Sequence, residues 1–195
     1  MDFIAFDFET ANTNRSSICS IGFAFVENGK LTGSDHILVK PTPDYYDYFN
    51  TCLHGIDDRM TKNEKPFKEL WNELFWYFDG QIVVAHNASF DCSVLRSALD
   101  ISDLDYPNTA YHCTFRLAQE SLPLSRHTLD VVSKHFKIKL NHHNAESDAI
   151  ASALIALRLC EKYKSNSLEE LSTSLGFKTG KILSETKTYR PFSKK

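Results

Sequence analysis

The stretch Phe3-Ile4-Ala5-Phe6-Asp7-Phe8-Glu9-Thr10 constrains the fold of this chain more than any other. Its apolar residues read as a central strand, yet two carboxylates, Asp7 and Glu9, stand one residue apart inside it. Successive side chains of a strand point to opposite faces, so Phe6 and Phe8 share one face and Asp7 and Glu9 the other. Two like charges held side by side in apolar surroundings are costly unless a positive group neutralises them. A divalent cation is the least strained solution. The plainer alternative is an edge strand with a solvated acidic face. The flanking phenylalanines and the placement at the strand end argue against it.

At 195 residues and 42% hydrophobic content, the chain suits one ordinary α/β domain with a real core. The net charge of −3 does not advertise nucleic-acid binding, although an acidic metal site would itself contribute that sign. Basic residues concentrate at the C-terminus, with six Lys or Arg and one acid from Lys178 to Lys195. Five scattered cysteines with no C-x-x-C pair argue against a disulfide framework or a cysteine zinc site. No signal peptide is visible and no apolar run approaches a membrane span, so a reducing, cytoplasmic setting with no membrane partner is expected.

Strands are expected over 2–9, 18–27 and from the Asn28-Gly29 turn to about Lys40, which makes an antiparallel meander. A polar loop is expected from Thr42 to about Lys65. A helix from Pro66 to Phe78 would carry Phe67, Leu70, Leu74, Phe75 and Phe78 on one side. The short strand Ile82–Ala85 precedes a helix that Asn87 or Ser89 would cap. A strand near Ala110–Cys113 follows, then helices near 114–120, 127–136 and 145–162. Ser167-Leu-Glu-Glu170 opens a last short helix that Gly176 closes. Three antiparallel strands followed by βαβ-like units imply an α/β fold, a mixed five-stranded sheet with helices on both faces. Residues 1–164 would form this domain and residues 165–195 a C-terminal helix with a basic tail.

Two further acids fall where ligands collect in such a sheet, at the strand ends and the starts of the helices that follow. Asp91, in His86-Asn87-Ala88-Ser89-Phe90-Asp91, lies in the first turn after the Ile82–Ala85 strand. Asp148, in His142-His143-Asn144-Ala145-Glu146-Ser147-Asp148, opens a later helix. A carboxylate at a helix start also simply complements the helix dipole. Five residues along a continuous helix would set His143 and Asp148 roughly 140° apart. They can share a pocket only if His143 sits in the loop before the helix. His142 competes with His143, and Glu146 with Asp148.

The order Asp7-x-Glu9, then Asp91 in its His-Asn-Ala-Ser-Phe-Asp context, then His143-x-x-x-x-Asp148, resembles the DEDDh, or DnaQ-like, 3′–5′ exonucleases, the group of the proofreading subunit of bacterial DNA polymerase III. Asp7-Phe8-Glu9-Thr10-Ala11-Asn12 and Leu53-His54-Gly55-Ile56 also look like that family. The resemblance runs from about residue 2 to residue 160. It implies a ribonuclease H-like fold, and its five-residue gap selects His143 and Asp148 over their neighbours. The implied activity is hydrolysis of phosphodiester bonds at single-stranded 3′ ends. Two divalent ions, Mg²⁺ or Mn²⁺, would be held by Asp7, Glu9, Asp91 and Asp148, with His143 as general base. DNA would be the favoured substrate, in relation to a polymerase or repair partner.

RNA trimming by the same constellation is one alternative to that reading, and a non-catalytic nucleic-acid-binding module is another. Thr10 and Asn12, directly after the first acid pair, would contact the terminal nucleotide. His54 and Ile56 would pack against its base, and Asn87 and Phe90 would flank Asp91. The plainer roles are loop packing for His54 and Ile56, capping for Asn87 and core filling for Phe90. The basic tail, with Lys178, Lys181, Lys187, Arg190, Lys194 and Lys195, would either track a phosphate backbone or fray into solvent.

Overall fold

A computed structural model describes residues 1–195. The opening alternation forms strand β1 (Phe3–Thr10), which pairs antiparallel with β2 (Ile18–Glu27), and β2 pairs antiparallel with β3 (Lys30–Leu38). Asn28 and Gly29 both take positive φ (52° and 72°), which closes the two-residue β2–β3 turn with the hand that matches strand twist. Strands β4 (Ile82–Ala85) and β5 (Thr109–Cys113) add in parallel on the other side of β1. This mixed five-stranded unit, β3-β2-β1-β4-β5, is the sheet expected from the sequence.

The full sheet is wider than expected. It has seven strands in the order β3-β2-β1-β4-β5-β7-β8, because residues after Gly176 fold back onto it. Strands β7 (Gly180–Leu183) and β8 (Thr188–Arg190) form a hairpin whose first strand pairs antiparallel with β5. The two-residue strands β6 (Phe177–Lys178) and β9 (Ser193–Lys194) pair separately. The basic tail is therefore not frayed. Phe192 anchors it, stacked on Phe177 at 4.9 Å between ring centres and set edge-on to His112.

Helices cover both faces. Helix α3 (Phe67–Leu74) starts directly after Pro66, which presets its first turn, and passes into a 3₁₀ turn at Phe75–Tyr77. Helix α4 (Ala88–Ser102) packs beside it, and the two bury Phe6, Phe8, Phe23, Trp71, Phe78 and Leu95 in one core. Phe78 meets Phe6 edge-to-face at 5.3 Å. Burying each such ring contributes about 1.5–3 kcal/mol. Helices α5 (Thr114–Ser121), α6 (Leu129–His135), α7 (Ala145–Tyr163) and α8 (Leu168–Ser174) bury Phe3, Ala5, Ala24 and Val84 on the opposite face.

Helix α7 turns alanines toward the sheet (Ala149, Ala153, Ala156) and so lies close to β1 and β2. At Gly22 in β2 the approach is so close that a Cβ would collide with the Ala145 carbonyl. Two short helices, α1 (Tyr48–His54) and α2 (Asp58–Thr61), occupy the segment expected to be a polar loop. Helix α1 buries none of its residues, so it carries no apolar period for a sequence pattern to reveal. No helix is long and apolar enough to cross a membrane.

Candidate active site

The β1–β4 ladder ends early, with Ile4 opposite Val83 and Ala5 opposite Val84, and the strands then part. The chain runs outward from β1 in both directions across the sheet, which makes this gap a topological switch point, where a crevice opens at the strand ends. Asp91, in the first turn of α4, enters from one face, and its Oδ1 accepts the backbone N–H of Phe8 at 3.2 Å. That bond ties the carboxylate to the strand carrying Asp7 and Glu9. Asp148 enters from the other face in the first turn of α7. Ligand oxygens of Asp7, Glu9 and Asp148 all lie within 4.8 Å of one another.

Asn144 caps α7, its side chain accepting the N–H of Ser147 at 3.0 Å. His143 therefore lies in the loop before the helix, the only arrangement that lets it share a pocket with Asp148. It takes positive φ (66°), and its backbone N–H donates to Asp148 Oδ2 at 3.1 Å. Asn87, just before α4, is also left-handed, at φ 68°. Neither residue is glycine, so both positions carry strain of the kind that collects at functional sites. Asn87 does not cap α4 through its side chain. Its Oδ1 instead accepts the Ser89 hydroxyl, so neither of the two expected caps is formed.

The electrostatics of the cluster are those of an anionic trap. Burial raises Asp7 well above the carboxylate range, and the charges of Asp91, Glu9 and Asp148 raise it further. Burial, then Asp148 and Asp91, pushes Glu9 up to about 8. Asp91 and Asp148 rise to about 7, also mainly through burial, each lowered somewhat by the backbone N–H it accepts. Asp148 Oδ1 is buried with no hydrogen-bond partner. A buried acceptor without a donor, among three other carboxylates, fits a hard divalent cation that takes oxygen ligands. No cysteine belongs to the cluster. The His143 pKa is lowered, by burial first and then by the His142 and His54 charges, which favours the neutral imidazole.

Asp7, Glu9, Asp148, His142 and His143 line a cleft of about 380 Å³ together with Leu53, Asn87 and Phe90. Phe90 is half-buried between core and cleft, and Arg15 lies 4.6 Å over its ring. His142 stacks on His143 at 3.9 Å between ring centres, and its Nε2 is 3.9 Å from Asp148 Oδ2.

Other expected contacts sit elsewhere. Asn12 is buried in the loop after β1, its amide donating to the carbonyls of Tyr45 and Pro43. Thr10 is held by Asn50 and His54 through its carbonyl. His54 accepts the Ile56 N–H at Nδ1 and therefore donates to Thr10 from Nε2, so both ring nitrogens are engaged. Ile56 packs with Ala11 and Cys19 in a small core cluster rather than lining the cleft. Leu53, His86, Phe115, Thr128 and Leu129 line the cleft without having been singled out in the sequence. Of these, only Leu53 and His86 carried a signal, as members of the segments Leu53-His54-Gly55-Ile56 and His86-Asn87-Ala88-Ser89-Phe90-Asp91.

A carboxylate cluster at the switch point of a mixed sheet, backed by a histidine loop, is the arrangement that the resemblance to 3′–5′ exonucleases leads one to expect. The chain belongs to the exonuclease family RNase_T, whose model matches residues 4–156. It is similar to the PolC-type DNA polymerase III of Caldanaerobacter subterraneus subsp. tengcongensis, at 30% identity over 88% of this chain and 12% of that protein. It is also similar to the DNA polymerase III epsilon subunit of Buchnera aphidicola, at 26% identity over 78% of this chain and 68% of the subunit. The chain thus spans about an eighth of the length of the PolC-type relative. Among solved structures, Exonuclease X in complex with 5′ overhanging duplex DNA shares the fold, with a TM-score of 0.68 at 21% identity over 89% of this chain and 99% of that one.

Proposed function

We propose that this enzyme removes nucleoside monophosphates one at a time from unpaired 3′ ends, with DNA preferred to RNA. The observation that carries the reading is the convergence of Asp7, Glu9 and Asp148 within 4.8 Å, with one buried Asp148 oxygen left without a donor. Asp7, central in the cluster, would hold both of two divalent ions, Mg²⁺ or Mn²⁺. Glu9 and Asp148 would complete one coordination set, and Asp91 would support the second. When bound, such ions stabilise the negative charge that develops on the attacking and leaving oxygens.

His143 takes the proton of the attacking water on a ring nitrogen. Its left-handed backbone and its bond to Asp148 fix the loop, and its lowered pKa keeps the base unprotonated at neutral pH. Phe90, Asn87 and Leu53 form the walls against which the terminal base and sugar rest. Thr10, Asn12, His54 and Ile56 tie the end of β1 and the loop after it to the segment around α1. Residues 1–164 would carry the chemistry and residues 165–195 would complete the fold. The preference for DNA and a polymerase or repair partner follow the PolC-type and epsilon relatives.

The test is a time course on end-labelled single-stranded DNA and RNA of matched sequence with magnesium, with manganese and with chelator. Stepwise shortening from the 3′ end, abolished by chelator and faster on DNA, is the expected result. Faster cleavage of RNA would reassign the substrate. Binding without cleavage under every metal would make the chain a non-catalytic module.

A further inference from the structure

A larger cavity, of about 520 Å³, lies beside the catalytic cleft and shares Asn87 and Phe115 with it. Its near wall comes from α4 and α5, and its far wall from Tyr189 and Phe192 of the folded-back C-terminus, outside residues 4–156. Two guanidinium groups, Arg96 and Arg116, face it. No acidic residue lines it, and neither arginine belongs to an ion pair. Arg96 lies over the Tyr189 ring, 3.8 Å from its centre, and its buried Nε has no hydrogen-bond partner. Two of the tail's own lysines turn elsewhere: Lys194 pairs with Glu120, and Lys187 reaches toward Asp103.

Two arginines without an anion, one held in place by an aromatic ring, are suited to planar, two-pronged recognition of a phosphate. The exposed Tyr189 ring, on the face that Arg96 leaves uncovered, offers a surface on which a base can stack. We propose that this cavity is a second nucleotide subsite, which holds a backbone phosphate and base of the same strand whose 3′ end occupies the carboxylate cleft. The proposal rests on the exonuclease reading above. A free mononucleotide or inorganic phosphate has the same chemistry. The wall shared at Asn87 and Phe115 favours the strand, because a chain leaving one cavity passes directly into the other.

The experiment compares wild type with Arg96→Gln, Arg116→Gln, the double variant and Tyr189→Ala. Arg116 and Tyr189 are exposed, so those two variants keep the core whether or not the Arg96 change is tolerated. One substrate is a chromogenic nitrophenyl ester of thymidine 5′-monophosphate, which fills only the catalytic cleft. The other is a single-stranded oligonucleotide of about twelve nucleotides, roughly one OB-fold-sized site.

The double variant is expected to raise KM for the oligonucleotide about tenfold and to flatten its dependence on log salt by about 0.7 per lost phosphate contact, while the small ester is cleaved as by wild type. An unchanged oligonucleotide KM and salt slope, or an equal fall on both substrates, overturns the proposal. So does arginine-dependent binding of phosphate or thymidine monophosphate with oligonucleotide KM unaffected. Oligonucleotide binding by anisotropy without metal separates the two levels. Arginine-dependent binding by a protein that cleaves neither substrate would refute the exonuclease reading and leave the subsite standing.

Discussion

Gly22 sits opposite Asp7 in the β1–β2 ladder and directly beneath the Ala145 carbonyl at the start of α7. One position without a side chain thus sets the distance between the strand that carries Asp7 and Glu9 and the helix that carries Asp148. Replacing Gly22 with Ala would push a methyl group into backbone, which cannot rotate aside. We expect a loss of about 1–3 kcal/mol of stability. Turnover should fall more than tenfold, because Asp148 would be displaced. Thermal unfolding with a nuclease assay checks both, and unchanged turnover would show that the helix start does not set the cluster.

Removing a charge from the cluster should separate stability from function. Asp7→Asn keeps the shape, relieves repulsion among four clustered carboxylates and supplies an N–H₂ donor to its neighbours. The metal-free variant is expected to melt above wild type while losing essentially all turnover. A lower melting temperature than wild type would mean that the cluster is not strained without cations.

The raised carboxylates also predict the pH dependence of the metal-free protein. Their folded pKa values, about 8 for Glu9 and about 7 for Asp91 and Asp148, lie above the unfolded values near 4. The folded state therefore binds more protons in that window, and this contribution to stability is complete below about pH 4 and is lost as pH rises through about 8. Cations displace the same protons, so stabilisation by magnesium or manganese should grow between about pH 5 and about pH 8. Melting curves with and without metal across that range check the sign, and a metal effect that shrinks with pH would refute it.

The two stacked histidines should be unequal. His143→Ala is expected to lower kcat by about 10²–10⁴, the range of a lost general base, with manganese binding largely retained. His142→Ala should cost about tenfold at most, because only His143 has its backbone bound to Asp148. Equal losses in the two variants would remove the assignment of the base.

Much of this site was legible in the sequence because it rests on local geometry. Alternation places Asp7 and Glu9 together, and a helix expected from about residue 145 leaves His143 in the loop before it, where the structure adds the Asn144 cap. Strands β1 to β5 follow from apolar runs and turn residues in the same way. What stayed hidden depends on long-range packing. Nothing local shows that Gly22 meets α7, that Asn87 is left-handed rather than a side-chain cap, or that Ile56 turns into a core cluster with Ala11 and Cys19. Helix α1 buries none of its residues, and the β7–β8 hairpin is built from strands of four and three residues, too short to display an apolar period.

That hairpin also moves the boundary of the sheet. Without it, β5, which is largely buried, would present an open row of backbone donors and acceptors to any other extended chain. With it, the sheet ends in a three-residue strand that is exposed along its whole length and includes Arg190, an unattractive template for strand addition. Cutting the chain after Gly176 would therefore leave a protein prone to clumping, visible as light scattering well below its unfolding temperature.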